Sequence, residues 1–126
     1  MSLMTPLNRV LGLGVAKGAG EHWWLQRVTA VALLPLGLWL AYSLLTLRSF
    51  DYVTVSAWVR EPLTSIMLIL LVVAVGYHSV LGVQVVVEDY VTGKGARAAT
   101  LMASTLAHVG LTIAAIFAVL KVAFGS

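Results

Sequence analysis

His78, Asp89 and Tyr90 stand in, or directly after, one long apolar segment of the chain. An imidazole can bind a metal, and a carboxylate and a phenol can hydrogen-bond a polar ligand or exchange a proton with it. Eleven residues separate His78 from Asp89, and at about 100° per residue their directions around a helix differ by only about 20°. The spacing predicts one helix face that carries both residues, with Gly82 one turn from the histidine.

The segments that must position these residues are three apolar stretches, over about residues 24–47, 63–88 and 98–121. Only 10% of the 126 residues are charged, against roughly 25% in a soluble domain. Each stretch is long enough to cross a hydrocarbon layer of ~30 Å, where the backbone must satisfy its own hydrogen bonds as a helix. The sequence therefore predicts an all-α integral membrane protein with three transmembrane helices in a single domain, residues 1–126, without a cleaved leader.

The charged residues predict the orientation of these helices. The N-terminal segment and the second loop lie on the same side of the membrane, and together they carry five basic residues: Arg9, Lys17, Arg27, Lys94 and Arg97. The other side carries three: Arg48, Arg60 and Lys121. By the positive-inside rule the N-terminus is cytoplasmic and the C-terminus periplasmic. The net charge of +3 is too small, and too spread along the chain, to predict a nucleic-acid partner.

The helix pitch places His78 about 16 Å from Asp89, near the middle of the bilayer. An imidazole at that depth is either a functional group or a histidine hydrogen-bonded to a neighbouring helix, and its position alone leaves both interpretations open. Gly82 leaves room for a flat group against the helix, and Tyr90 follows Asp89 at the inner boundary. This arrangement suits a haem and a quinone head group.

Arg27 lies at the inner end of the first span, at the level of Asp89 and Tyr90. It is either an ordinary interfacial arginine or the partner of an anionic group such as a haem propionate. His108 belongs to a polar stripe on the third span, where helix packing is favoured over a ligand role. His22 lies near the membrane surface and needs no special function. The chain has no cysteine, which excludes disulfides and thiolate metal sites.

Two segments resemble a known family. HWWLQRVTAVAL (22–33) and YHSVLGVQVVVEDYV (77–91) are similar to the smaller hydrophobic membrane anchor of succinate dehydrogenase, respiratory complex II. The family pattern is Arg-x-Thr-Ala, then His-x-x-x-Gly, with Asp-Tyr 11 and 12 residues after the histidine. It falls here on Arg27, Thr29, Ala30, His78, Gly82, Asp89 and Tyr90. The leader, TPLNRVLGLGVAKGAGEHWW, is similar to that of alphaproteobacterial members.

The resemblance implies a subunit of a four-subunit enzyme in a bacterial inner membrane. A flavoprotein subunit oxidises succinate, and an iron–sulfur subunit passes the electrons on. This chain forms half of a two-subunit anchor bundle with a second, cytochrome b anchor, and together they bind haem b and reduce ubiquinone. By the family's pattern His78 is an axial ligand of the haem iron and Arg27 lies near the propionates. Tyr90 hydrogen-bonds a quinone carbonyl, with Asp89 beside it.

Two other functions compete with this interpretation. In the first, the chain is a redox-inactive structural anchor in which His78 only bridges helices. In the second, it is a small homo-oligomeric transporter. No acidic residue lies inside a predicted span, Glu88 being at the very end of the second, and this counts against proton-coupled transport. As a subunit of the enzyme the chain would catalyse nothing by itself, since it has no succinate site, and His108 and Glu88 receive no role from the resemblance.

Overall fold

The computed structural model describes residues 16–125, with side chains from residue 20 onwards. They form four helices: α1 (Ala16–Thr46), α2 (Tyr52–Arg60), α3 (Pro62–Tyr90) and α4 (Lys94–Phe124). Helices α1, α3 and α4 are long and apolar enough to cross a membrane. These findings confirm the prediction of an all-α integral membrane protein with three spans. Arg9, the first residues of the leader and the side chain of Lys17 lie outside the described part.

Each long helix extends past the apolar stretch that predicted it. Helix α3 has 29 residues and is therefore about 44 Å long, whereas the hydrocarbon layer is only ~30 Å thick. Helix α4 begins at Lys94, with Gly93 as its N-cap. The extra turns carry charged and small residues. They are helical because the backbone hydrogen bonding continues beyond the apolar stretch.

Helix α2 occupies the connection between the first two predicted spans, where no helix was predicted. Asp51 caps its N-terminus: the Thr54 backbone N–H and hydroxyl each donate to the Asp51 carboxylate over 2.9 Å. The Trp58 ring of α2 stacks on Trp39 of α1, with 6.1 Å between the ring centroids. Arg60 donates from Nη2 to the Gly125 carbonyl over 2.8 Å, so α2 is tied to the last turn of α4.

Helix α3 is the central element. It packs against α1 and against α4, while α1 and α4 make no contact with each other within the described residues. On its α4 side Gly76 allows a close approach, because a Cβ added there would collide with Thr112 Oγ1. Leu81 and Val87 are the only buried apolar side chains among the described residues. The remaining apolar side chains of the described residues are left partly or fully exposed by the chain's own packing.

Candidate functional site

The site is built where α1 meets α3. His22, Gln26 and Thr29 are spaced four and three residues apart, so they share one face of α1. Thr29 Oγ1 lies 2.9 Å from His78 Nδ1, and Gln26 Nε2 lies 3.5 Å from His78 Nε2. The imidazole predicted at mid-depth is therefore directed towards α1, between a hydroxyl and a side-chain amide.

The two ring nitrogens of His78 have unequal partners. The 2.9 Å contact of Nδ1 is a normal hydrogen-bond length, whereas the 3.5 Å contact of Nε2 is long and therefore weak. Nε2 is thus the nitrogen of this ring that is available to a ligand.

His108 provides the contrast, because both of its nitrogens are well bonded. Its Nδ1 donates to the Ser104 carbonyl over 2.8 Å. Its Nε2 accepts from the Ser79 hydroxyl over 2.9 Å, which links α4 to α3. A histidine bonded in this way joins two helices and has no nitrogen left for a ligand. The geometry supports the packing role expected for His108.

A groove of about 740 Å³ runs between α1 and α3 beside His78. Its lining residues are His22, Trp23, Gln26, Gly82, Gln84, Val85 and Glu88. A Cβ added at Gly82 would meet only Gln26 Nε2, at 3.8 Å, so the glycine keeps this part of the groove wide. His78 is not among the lining residues, but its Nε2 lies 3.5 Å from the amide nitrogen of Gln26, which does line the groove.

Two buried polar atoms in the groove lack a hydrogen-bond partner, His22 Nε2 and Gln26 Oε1. Leaving such an atom unpaired costs about 1–3 kcal/mol. The groove therefore has unused hydrogen-bonding capacity at its polar end, where Gln84 also donates to Glu88 over 2.9 Å. With the width at Gly82, these atoms fit a flat group that carries polar edges.

Arg27 lies on a different face of α1. It is about 100° from Gln26 around the helix, and its guanidinium carbon is 4.8 Å from the Trp23 ring centroid. A separate cavity of about 250 Å³ is lined by Arg27 together with Trp24, Val28 and Val31. The structure therefore brings His78 and Gly82 together, with Arg27 exposed on a surface that does not face α3.

Asp89 and Tyr90 lie exposed at the end of α3, and Tyr90 has 81% of its surface accessible. In this turn Glu88 is the residue that lines the groove. The acid and the phenol are therefore at the surface of this chain, where another subunit can contact them.

Sequence reasoning missed two residues of the site, Gln26 and His22, and gave Thr29 no role beyond its place in a motif. A signal was present: His22, Gln26 and Thr29 form a polar stripe at helical spacing at the start of an apolar span. Such a stripe indicates a face directed towards protein and away from lipid.

Comparison with known proteins identifies the family. The family model for the succinate dehydrogenase/fumarate reductase transmembrane subunit matches residues 1–119 of this chain. The chain is 37% identical over 107 residues to the succinate dehydrogenase hydrophobic membrane anchor subunit of Rickettsia bellii, covering 84% of this chain and 85% of that one. The corresponding protein of Rickettsia conorii is 39% identical over 80 residues, covering 63% and 64% of the two chains.

The corresponding protein of Paracoccus denitrificans is more distant but matches end to end. It is 25% identical over 126 residues, which cover 100% of this chain and 97% of that one. No solved structure matches the chain significantly. The resemblance carried by the two sequence segments is confirmed. The chain therefore belongs to the family of succinate dehydrogenase/fumarate reductase transmembrane subunits, and its function is that of a membrane anchor in this enzyme complex.

Proposed function

We propose that the chain is the redox-active anchor of a succinate:ubiquinone oxidoreductase, in which His78 Nε2 is an axial ligand of haem b. The observation that carries this proposal is the difference between the two intramembrane histidines. His108 has both nitrogens bonded at 2.8–2.9 Å, whereas His78 Nε2 has only a 3.5 Å contact with an amide. Imidazole nitrogen is a usual protein ligand of haem iron.

A single histidine suits a metal that brings its own ring of ligands. Among the described residues, no three side chains of the His, Asp or Glu type converge to hold a bare metal ion. The second anchor subunit, with which this chain would form one bundle, would supply the other protein ligand. When bound, haem b holds one electron at a time near the quinone.

The groove between α1 and α3 supports the same proposal. Gly82 leaves space for a flat group, and the unpaired His22 Nε2 and Gln26 Oε1 offer hydrogen bonds to its polar edge. Arg27 lies outside this groove, beside Trp23, and would pair with a propionate that extends beyond the groove, because a guanidinium stacked on an indole keeps its N–H edge for a carboxylate. The chain would thus contribute the His78 ligand, a surface without a side chain at Gly82 and the Arg27 cation to haem binding.

Quinone reduction takes place at the inner end of α3. The Tyr90 phenol donates a hydrogen bond to a quinone carbonyl as that oxygen gains electron density, and Asp89 orients the phenol or passes on a proton. Each ubiquinone takes up two electrons and two protons. The high exposure of Tyr90 supports a pocket that the iron–sulfur subunit and the second anchor would complete.

The remaining partners and the location follow from the same assignment. A flavoprotein subunit oxidises succinate, and the iron–sulfur subunit carries the electrons to the quinone bound beside Tyr90 and Asp89. The complex lies in the bacterial inner membrane with the N-terminus of this chain in the cytoplasm. That orientation puts the α3–α4 connection, with Lys94 and Arg97, on the same cytoplasmic side.

The experiment replaces each histidine in the assembled complex and records reduced-minus-oxidised spectra. His78→Ala is expected to remove or alter the b-type haem signal. His108→Ala is the matched control, and it is expected to keep the signal because the ring makes only helix–helix bonds. An unchanged low-spin spectrum in H78A would refute the ligand assignment and favour a structural role for His78.

A further inference from the structure

We infer that Thr29 is a positioning residue for His78. Its side-chain oxygen accepts a hydrogen bond from His78 Nδ1–H and so holds the imidazole in the tautomer whose Nε2 lone pair faces away from Thr29. This inference rests on the proposed ligation of haem by His78 Nε2. It gives the threonine of the Arg-x-Thr-Ala motif a role, which is to position the His78 ring.

The direction of the hydrogen bond follows from the other partners of Thr29. The hydroxyl has one proton, and Oγ1 lies 2.8 Å from the Leu25 carbonyl oxygen and 3.1 Å from that of Gln26. Carbonyl oxygens can only accept, so the hydroxyl donates to the helix backbone, as threonine commonly does. The lone pairs of Oγ1 then face Nδ1 at 2.9 Å, and Nδ1 must carry the proton.

The contact of Gln26 leads independently to the same tautomer. The amide nitrogen of Gln26, which only donates, lies 3.5 Å from His78 Nε2. A donor is favourable there only if Nε2 carries no hydrogen, and a neutral imidazole has one N–H. Two residues on one face of α1 therefore specify a protonated Nδ1 and a free Nε2 lone pair.

This arrangement prepares the ring for iron at small cost. The 3.5 Å contact with Gln26 is long, so the protein loses only a weak hydrogen bond when a ligand takes the Nε2 lone pair. The Nδ1–H bond to Thr29 orients the ring and makes Nε2 a stronger electron donor, as the outer hydrogen bonds of metal-binding histidines commonly do. A stronger donor stabilises the ferric state more than the ferrous state, so Thr29 is expected to strengthen haem binding and lower the reduction potential.

Thr46 provides a matched control on the same helix. Its hydroxyl lies 2.9 Å from the Tyr42 carbonyl oxygen and 3.1 Å from that of Ser43. This repeats the backbone bonding of Thr29, but no histidine is bonded to it in the described structure. Replacing each threonine by valine therefore removes the same local bonds, and only one replacement affects His78.

The test uses the assembled complex with Thr29→Val, Thr29→Ala, Thr29→Ser and Thr46→Val. Haem content per flavin and the haem midpoint potential are measured by spectroscopic redox titration. T29V and T29A are expected to weaken haem binding by about 10- to 100-fold and to raise the potential. Each tenfold loss of ferric over ferrous affinity corresponds to about 59 mV. T29S keeps the hydroxyl and is expected to restore both values, and T46V to change neither.

Wild-type haem content and potential in T29V and T29A would overturn the inference, as would a T29S variant that behaves like T29A. Failure of both T29V and T29A to assemble, with T46V intact, would give Thr29 a folding role and also overturn it. The proposed function is tested separately by His78→Ala. Loss of the signal in H78A, with T29V unchanged, would retain the ligand and reject only the task of Thr29.

Discussion

Two glycines on α3, Gly76 and Gly82, separate a packing role from a ligand role. A Cβ on Gly76 would collide with Thr112 Oγ1, whereas a Cβ on Gly82 would meet only Gln26 Nε2 at 3.8 Å, an ordinary van der Waals distance. Overpacking a tight contact costs typically about 1–3 kcal/mol, and threonine is stiff at χ1. Gly76→Ala is therefore expected to destabilise the α3–α4 contact by about that amount, and Gly82→Ala to leave the protein's own packing unchanged.

The two variants should change different properties, G76A the stability of the protein and G82A the binding of haem. If a flat cofactor lies against Gly82, the methyl group in G82A meets it, and the same cost of about 1–3 kcal/mol weakens haem binding by about 5- to 150-fold. The assay combines thermal unfolding of the detergent-solubilised complex with haem content per flavin. G82A is expected to unfold like the wild type with less haem, and G76A to unfold at a lower temperature.

Full haem content and wild-type haem affinity in G82A would show that no cofactor lies against Gly82. A matched control is Gly110→Ala on α4, where an added Cβ meets nothing within 4 Å. That variant is expected to change neither stability nor haem content appreciably.

The remaining predictions concern the inner end of α3 and the α2 cap. Tyr90→Phe should lower quinone reduction but leave succinate oxidation by artificial dyes intact, and equal loss of both activities would contradict a quinone role. Hydrogen bonds from Ser49 and then Thr54 lower the pKa of Asp51 from 3.8 to about 2. The stabilisation of α2 by this carboxylate is therefore complete above pH 3.8 and is lost as the pH falls towards 2. Hydrogen exchange of α2 should show that loss in the wild type and less of it in Asp51→Asn; identical profiles would show that the cap contributes nothing. Arg60→Gln should increase exchange in the last turn of α4, and unchanged protection there would show that Arg60 does not hold it.

The sequence was sufficient for the spans and for one face of the site. Apolar runs of membrane-spanning length left no alternative to helices, and helical spacing brought His78 and Gly82 to one side of α3. Helix α2 was not predicted because its nine residues carry no long apolar run. Its signal was local, an aspartate followed three residues later by a threonine, which is a capping pattern that many loops share.

The rotation of α1 against α3 could not be predicted. Spacing within one helix fixes which residues share a face, but it does not say which face meets the neighbouring helix. The membrane level of Arg27 suggested a place beside Asp89 and Tyr90, whereas the structure turns Gln26 and Thr29 towards His78 and leaves Arg27 beside Trp23. The difference of about 100° between adjacent residues decides which side chain reaches the histidine.

The most direct test of the central claim is a reduced-minus-oxidised spectrum of the purified wild-type complex, recorded together with an inventory of its subunits and extracted quinone. We expect a low-spin b-type haem signal and bound quinone in a complex that contains flavoprotein, iron–sulfur and two anchor subunits. A complete complex with neither haem nor quinone would contradict it, because His78 Nε2 would then have no ligand to bind.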